Sequence, residues 1–115
     1  MKRISNYAVG VQQGSEILFS DFENGGEMWT GSGRREYRRD LRFGRPFRAL
    51  PAVHVGLGMW DISNAANLRA DICAEDITRE GFTLVFRTWG DTRVARIRAD
   101  WLAIGAADHE DDWDI

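Results

Sequence analysis

The sequence predicts an all-β domain of six antiparallel strands, folded as a small sandwich or barrel. Three observations carry this. Apolar residues recur at every second position in several stretches, most clearly at Phe82, Leu84 and Phe86. Breaks containing glycine, proline or asparagine separate these stretches at regular intervals. Helical periodicity is almost absent, and no internal repeat is seen. A chain of 115 residues makes one domain, large enough to bury a core without staples.

Ser5 to Gly14 is a polar lead-in with Tyr7, Val9 and Val11 alternating, a short edge strand or an ordered arm. Residues 1–14 are set apart as an N-terminal arm. Glu16 to Phe22 is the first strand, with Ile17, Leu18 and Phe19 at its middle. Glu23-Asn24-Gly25-Gly26 breaks it, Met28 and Trp29 follow, and Thr30-Gly31-Ser32-Gly33 is a second break. Glycines there permit positive φ, and an exposed loop is expected.

Strand two is Glu36 to Phe43, with Tyr37, Leu41 and Phe43 apolar and Arg39 in phase between them. Gly44-Arg45-Pro46 makes a corner. Pro51 opens strand three, which runs to Ile62. Val53, Val55, Leu57 and Met59 take one face; His54, Gly56, Gly58 and Trp60 take the other. Two glycines inside a strand predict a bulge or the close approach of another backbone. Asp61 to Asn67 is a polar connection, Leu68 to Ile77 is strand four, and Thr78 to Gly81 is a link.

Gly81 to Gly105 then reads as a β-hairpin whose tip, Trp89-Gly90-Asp91-Thr92, has turn chemistry. Its return strand alternates Val94, Ile97, Ala99 and Trp101-Leu102 with Arg93, Arg96, Arg98 and Asp100. The packed domain is thus 15–105, and 106–115 is an acidic tail.

Charge is unevenly spread. Arg34 to Arg48 holds seven arginines, and Asp108 to Asp114 holds five acids without a base. This basic segment is read as a solvated strand face or as intersubunit ion-pair partners for acids such as Asp61, Asp71, Glu75 and Asp76, ahead of a polyanion site. A net charge of −3 makes nucleic acid an unexpected partner. No apolar run reaches membrane-spanning length. MKRISNYAVG lacks the apolar centre of a signal peptide, so synthesis in the cytoplasm is expected, with the product released by another route or particle-associated. Cys73 is the sole cysteine and is read as a small core thiol. His54 and His109 suggest no metal site. No cofactor and no catalytic pair is expected, so the chain is read as a binder and not an enzyme.

Taken together and in order, several pieces resemble the H-type lectin domain of snail agglutinins and discoidins. They are LRFGRPFRALPAV, Asp61 after a strand, NLRADI at Asn67 to Ile72, and the Gly81-Phe82 strand start. Thr88-Trp89 with Thr92, and Ala99-Asp100-Trp101-Leu102-Ala103, complete the set. The resemblance implies a six-stranded antiparallel β-sandwich of H-type lectin type. It implies a homotrimer, or a hexamer of two trimers, with shallow sites at subunit boundaries for galactose or N-acetylgalactosamine-like residues.

By the resemblance, Arg69 matches the family arginine that bonds sugar hydroxyls, and Trp89 the aromatic that meets the apolar ring face. Gly90 stands where the snail lectin has a histidine and Ala95 where it has a tyrosine. The stretch Gly33 to Glu36 replaces the family's acid-bearing loop, with Arg35 at the acid's position and Glu36 beside it. The carbohydrate-binding candidates are Gly33, Arg35, Glu36, Arg69, Trp89 and Gly90. A saccharide needs an aromatic plane and planar hydrogen-bonding groups, and these residue types supply both. The expected function is a non-catalytic lectin for cell-surface glycans. The alternative is a host-attachment module of a phage-like particle gripping surface polysaccharide.

Overall fold

A computed structural model describes residues 1–5 and 8–108. Six strands are found among them: β1 (Val9–Ser20), β2 (Arg35–Arg42), β3 (Ala52–Ile62), β4 (Asp71–Glu75), β5 (Gly81–Thr88) and β6 (Val94–Ala106). Two four-residue helical turns, α1 (Asp21–Asn24) and α2 (Glu27–Thr30), lie between β1 and β2. The strands form two antiparallel three-stranded sheets, ordered β1-β6-β3 and β2-β5-β4. They face each other as a sandwich, so the all-β expectation holds.

The core is the meeting of two central strands. Phe82, Leu84 and Phe86 of β5 join Ile97, Ala99 and Ala103 of β6, with Phe19, Met28, Phe43 and Phe47 closing the ends. Burying one such phenylalanine contributes about 1.5–3 kcal/mol. Phe43 meets Phe47 edge-on at 5.0 Å, and Phe82 meets Trp101 at 5.5 Å. Trp101 therefore packs on the core, as its phase implies. Gly14 pairs with Trp101 across β1 and β6, and a Cβ there would stand 2.6 Å from the indole nitrogen. Close approach, and not backbone freedom, is why residue 14 is glycine.

The predicted hairpin is overturned. β5 and β6 belong to different sheets, so Trp89–Arg93 is an arch from one layer to the other and not a two-strand turn. Alternation specifies which face of a strand is buried, and leaves open which neighbour takes its backbone hydrogen bonds. Unbroken burial from Gly81 to Phe86 is the mark of a central strand. The hairpin between consecutive strands is β4–β5 instead, its link closed by Thr78 N–H donating to Gly81 at 2.8 Å.

Three further readings are corrected. Val9–Gly14, expected as an arm or a short edge strand, does lie at a sheet edge, but as the first half of the twelve-residue β1, pairing with Trp101–Ala106. The first strand ends at Ser20, because the Asp21 carboxylate accepts the Met28 N–H at 2.9 Å and its carbonyl accepts the Gly26 N–H, turning the chain into α1. Cys73 is half-buried on the outer face of β4, paired with Val85, and not in the core. Burial there raises its pKa.

The bulge expected from the glycines of β3 is present. Its register slips between Leu57 and Met59, and a Cβ on Gly58 would collide with the Asp100 carboxylate. Tyr7, His109 and the acids of 110–114 lie outside the described residues. Asp108, at the tail's start, pairs with Arg48 at 3.3 Å.

Candidate functional site

One end of the sandwich carries the arch, the residues just before β2, and the β3–β4 connection. The outer face of the β2-β5-β4 sheet leads up to it. Register puts Glu36, Arg87 and Asp71 in one row of that face, and Arg38, Val85 and Cys73 in the next. Arg38 pairs with Glu36 at 2.9 Å and Glu75 at 3.2 Å, and Arg87 pairs with Glu75 at 2.8 Å and Glu36 at 3.2 Å. Of the basic segment, Arg38, Arg39 and Arg48 pair with acids of the same chain, whereas Asp61 and Asp71 pair with Arg96 and Arg87 outside it. Arg38 and then Arg87 hold the Glu36 carboxyl below its ordinary value; Arg87 and then Arg38 do the same for Glu75.

Above this lattice lies a groove of about 750 Å³, bounded by Trp89, Arg34, Glu36, Asp71, Arg87 and the buried Arg35. Trp89 is 43% exposed at its mouth. The ring at the tip of this segment is therefore accessible and not packed on a neighbouring strand. Arg34 makes no ion pair or hydrogen bond among the described residues.

Arg35 is 6% exposed. Its Nε donates to the Gly33 carbonyl at 3.0 Å, Nη1 to Met28 at 3.0 Å and Glu27 at 3.4 Å, and Nη2 to Thr92 at 2.7 Å and Gly90 at 3.3 Å. A guanidinium has five donors, and five backbone carbonyls take them. Strand alternation explains the burial, since Arg35 shares the inward phase with Tyr37 and Arg39. Arg35 is a post that ties α2, the Gly33 turn and the arch together, and has no donor left over for a ligand.

Gly33 and Gly90 lie behind Trp89. The Gly33 N–H donates to the Gly90 carbonyl at 2.8 Å, and both have positive φ, 76° and 69°. Arg69 packs against Gly90 and donates from Nη1 to Asp91 at 2.5 Å and to Thr92 Oγ1 at 3.4 Å. This bond lowers the Asp91 pKa. Thr88 Oγ1 donates to the Arg69 carbonyl at 2.5 Å, and the fully buried Thr92 donates to the Asn67 carbonyl at 2.5 Å. These bonds fix the loop that carries Arg69.

Of the six candidates, Arg35, Glu36 and Trp89 border one groove, although Arg35 is spent internally. Gly33 and Gly90 support the arch, and Arg69 lies against its far side. The sequence reading included Arg34 only as part of the loop before strand two, and did not place Asp71 and Arg87 at the groove, or Asp91, Thr88 and Thr92 in its frame. The signal for Asp71 and Arg87 is the cross-strand register, which is fixed only once the strands are paired. Among the described residues no cluster of three or more His, Cys, Asp or Glu could hold a metal, and no helix is long and apolar enough to cross a membrane.

A two-sheet sandwich with an exposed tryptophan beside paired carboxylates and guanidinia has the architecture and chemistry of a carbohydrate-binding lectin domain. Residues 38–104 match the family model of the H-type lectin domain, and the chain belongs to that family. It is 62% identical over 108 residues to a protein of Fuscovulum blasticum described as ATP synthase subunits region ORF 7, covering 94% of each. It is 37% identical over 104 residues to a discoidin-1 polypeptide of Dictyostelium discoideum, covering 88% of this chain and 41% of that protein. The structure of wild-type discoidin II from Dictyostelium discoideum superposes with a TM-score of 0.73 at 27% identity, covering 91% of this chain and 40% of that one. The chain thus spans about two-fifths of the length of the discoidins it matches.

Proposed function

We propose that this domain is a non-catalytic lectin that binds cell-surface glycans at the arch end, taking galactose or N-acetylgalactosamine-like residues. The observation that carries this is the exposed Trp89 ring at the mouth of a groove that also presents Glu36. The ring covers the C–H face of a pyranose, and the Glu36 carboxylate accepts from its hydroxyls. Arg69 keeps Nε and Nη2 for a hydroxyl on the other side of the arch, since Nη1 is the atom given to Asp91 and Thr92. No bond is broken. A groove this open holds one sugar weakly, so affinity for a surface comes from several copies acting together in a trimer or hexamer. Such linkage raises avidity by about 10²–10⁴.

The test is tryptophan fluorescence during titration with galactose, N-acetylgalactosamine and a bacterial surface polysaccharide, for wild type and Trp89→Ala. A saturable change that disappears in the variant is expected, with the mass by light scattering unchanged and equal to three or six copies. Undiminished binding by Trp89→Ala overturns the placement of the site. No binding of any of the three by an intact oligomer overturns the lectin reading.

A further inference from the structure

A second recess lies on the far side of the arch, where the end of β3 meets the β3–β4 connection. It has a volume of about 600 Å³ and is bordered by Trp60, Asp61, Ile62, Asn64, Asn67 and Leu68. Trp60 is 59% exposed and Leu68 62% exposed, so two large apolar surfaces face water side by side. The side-chain amides of Asn64 and Asn67 make no hydrogen bond among the described residues. A broad aromatic plane flanked by unspent planar amides is the chemistry that recognises a pyranose, with C–H groups on the ring and hydroxyls on the amides.

Charge and rigidity narrow the ligand. The carboxylate in the recess, Asp61, is paired with Arg96 at 3.4 Å, and no arginine or lysine borders the recess. A charged sugar would lose solvation there without gaining a counter-ion, so an uncharged residue fits. The connection is held at both ends. Ser63 N–H donates to the Arg93 carbonyl at 2.9 Å, and Thr92 donates to the Asn67 carbonyl. Binding therefore needs little loop ordering.

The recess is also continuous with the first groove along the chain. Leu68 borders the recess, Arg69 packs on the arch, and Ala70 and Asp71 border the groove. Three residue steps span at most about 10 Å.

We infer that the Trp60 recess is a second subsite, for an uncharged sugar residue, so that the domain grips an oligosaccharide across the arch instead of a single terminal sugar. The inference rests on the lectin reading above, and the two fail differently. The experiment follows the indole N–H resonances of Trp60 and Trp89 in the full-length, ¹⁵N-labelled protein during titration with galactose and with a neutral β-linked galactotetraose. Galactose is expected to move Trp89, and the tetrasaccharide to move both. Trp60→Ala is expected to weaken tetrasaccharide binding about tenfold and leave galactose binding within about twofold. Asn64→Ala, at an exposed loop position, is expected to give a loss in the same direction.

A tetrasaccharide that moves Trp89 but not Trp60 overturns the subsite and leaves the lectin reading standing. So does a Trp60→Ala protein with unchanged tetrasaccharide affinity. A Trp60→Ala protein of altered oligomeric mass also overturns it, by making the recess a contact between copies. If neither indole moves with either sugar, the galactose-type reading falls and the subsite falls with it.

Discussion

Arg69 donates to the Asp91 carboxylate at 2.5 Å and lies where a Cβ on Gly90 would stand 3.0 Å from its Nη1. The arginine and the turn are therefore fitted to each other. Replacing Gly90 by alanine forces a side chain into a φ of +69° and crowds the Arg69 guanidinium, which must shift against its acid. The expected cost is about 1–2 kcal/mol, read as a thermal midpoint several degrees lower. Glycan affinity measured by calorimetry is expected to fall as well, because Arg69 loses its seat.

Arg35 is expected to matter for folding and not for sugar contact. Arg35→Met removes the guanidinium and leaves the carbonyls of Met28, Gly33 and Thr92 without their donor. Loss of a buried, charge-assisted network costs about 3 kcal/mol or more. Urea unfolding is expected to show a lower midpoint at an unchanged slope. Arg35→Lys should recover little, since an ammonium cannot reach carbonyls arranged around a planar fork.

Gly14 and Trp101 form a second fitted pair. Gly14→Ala overpacks the indole and is expected to cost about 1–3 kcal/mol. Trp101→Phe in the same chain removes the ring edge that collides. A double-mutant cycle by thermal denaturation is expected to show the two changes partly compensating.

Acid should weaken the lattice on the β2-β5-β4 sheet. The Glu36 and Glu75 pKa values lie below 4.5 in the folded chain, and that of Asp91 below 3.8. Depressed carboxylates stabilise the fold above their unfolded pKa, and the contribution is lost as pH falls through the folded one. The midpoint is expected to be flat from neutrality to about pH 5 and to decline below 4.5, steeply at low salt and less so at high salt, because these pairs are exposed. Glu36→Gln with Glu75→Gln should make that decline shallower.

The inward phase of β5 and the bulge at Gly58 were legible in the sequence because both are local properties. Nor was the exposure of Trp89, because a tryptophan at a strand's end packs on a neighbouring strand as readily as it faces water. The pairing of β5 with β2 and β4 was not, because alternation at Phe82, Leu84 and Phe86 is satisfied by any neighbour. Arg35 misled for a related reason. An arginine beside a glycine-rich turn reads as surface, yet its strand phase points it inward, and the five carbonyls that accept it come from three separated segments. The groove rests on the row Glu36, Arg87, Asp71, which exists only once three strands are in register. The resemblance points to the arch end, and it carried Arg35 over to a position that the fold uses as a post.

The strand order also bears on how the chain is made. β2, β4 and β5 are complete once Thr88 has been synthesised, whereas β1 has no partner until β6 emerges, since Val9 pairs with Ala106. A three-stranded sheet formed before β6 would leave Phe82, Leu84 and Phe86 uncovered, beside an orphan strand that carries Val9, Val11 and Ile17. The nascent chain is most in need of protection from self-association in that interval. The arch end is assembled last, when β6 closes over the core.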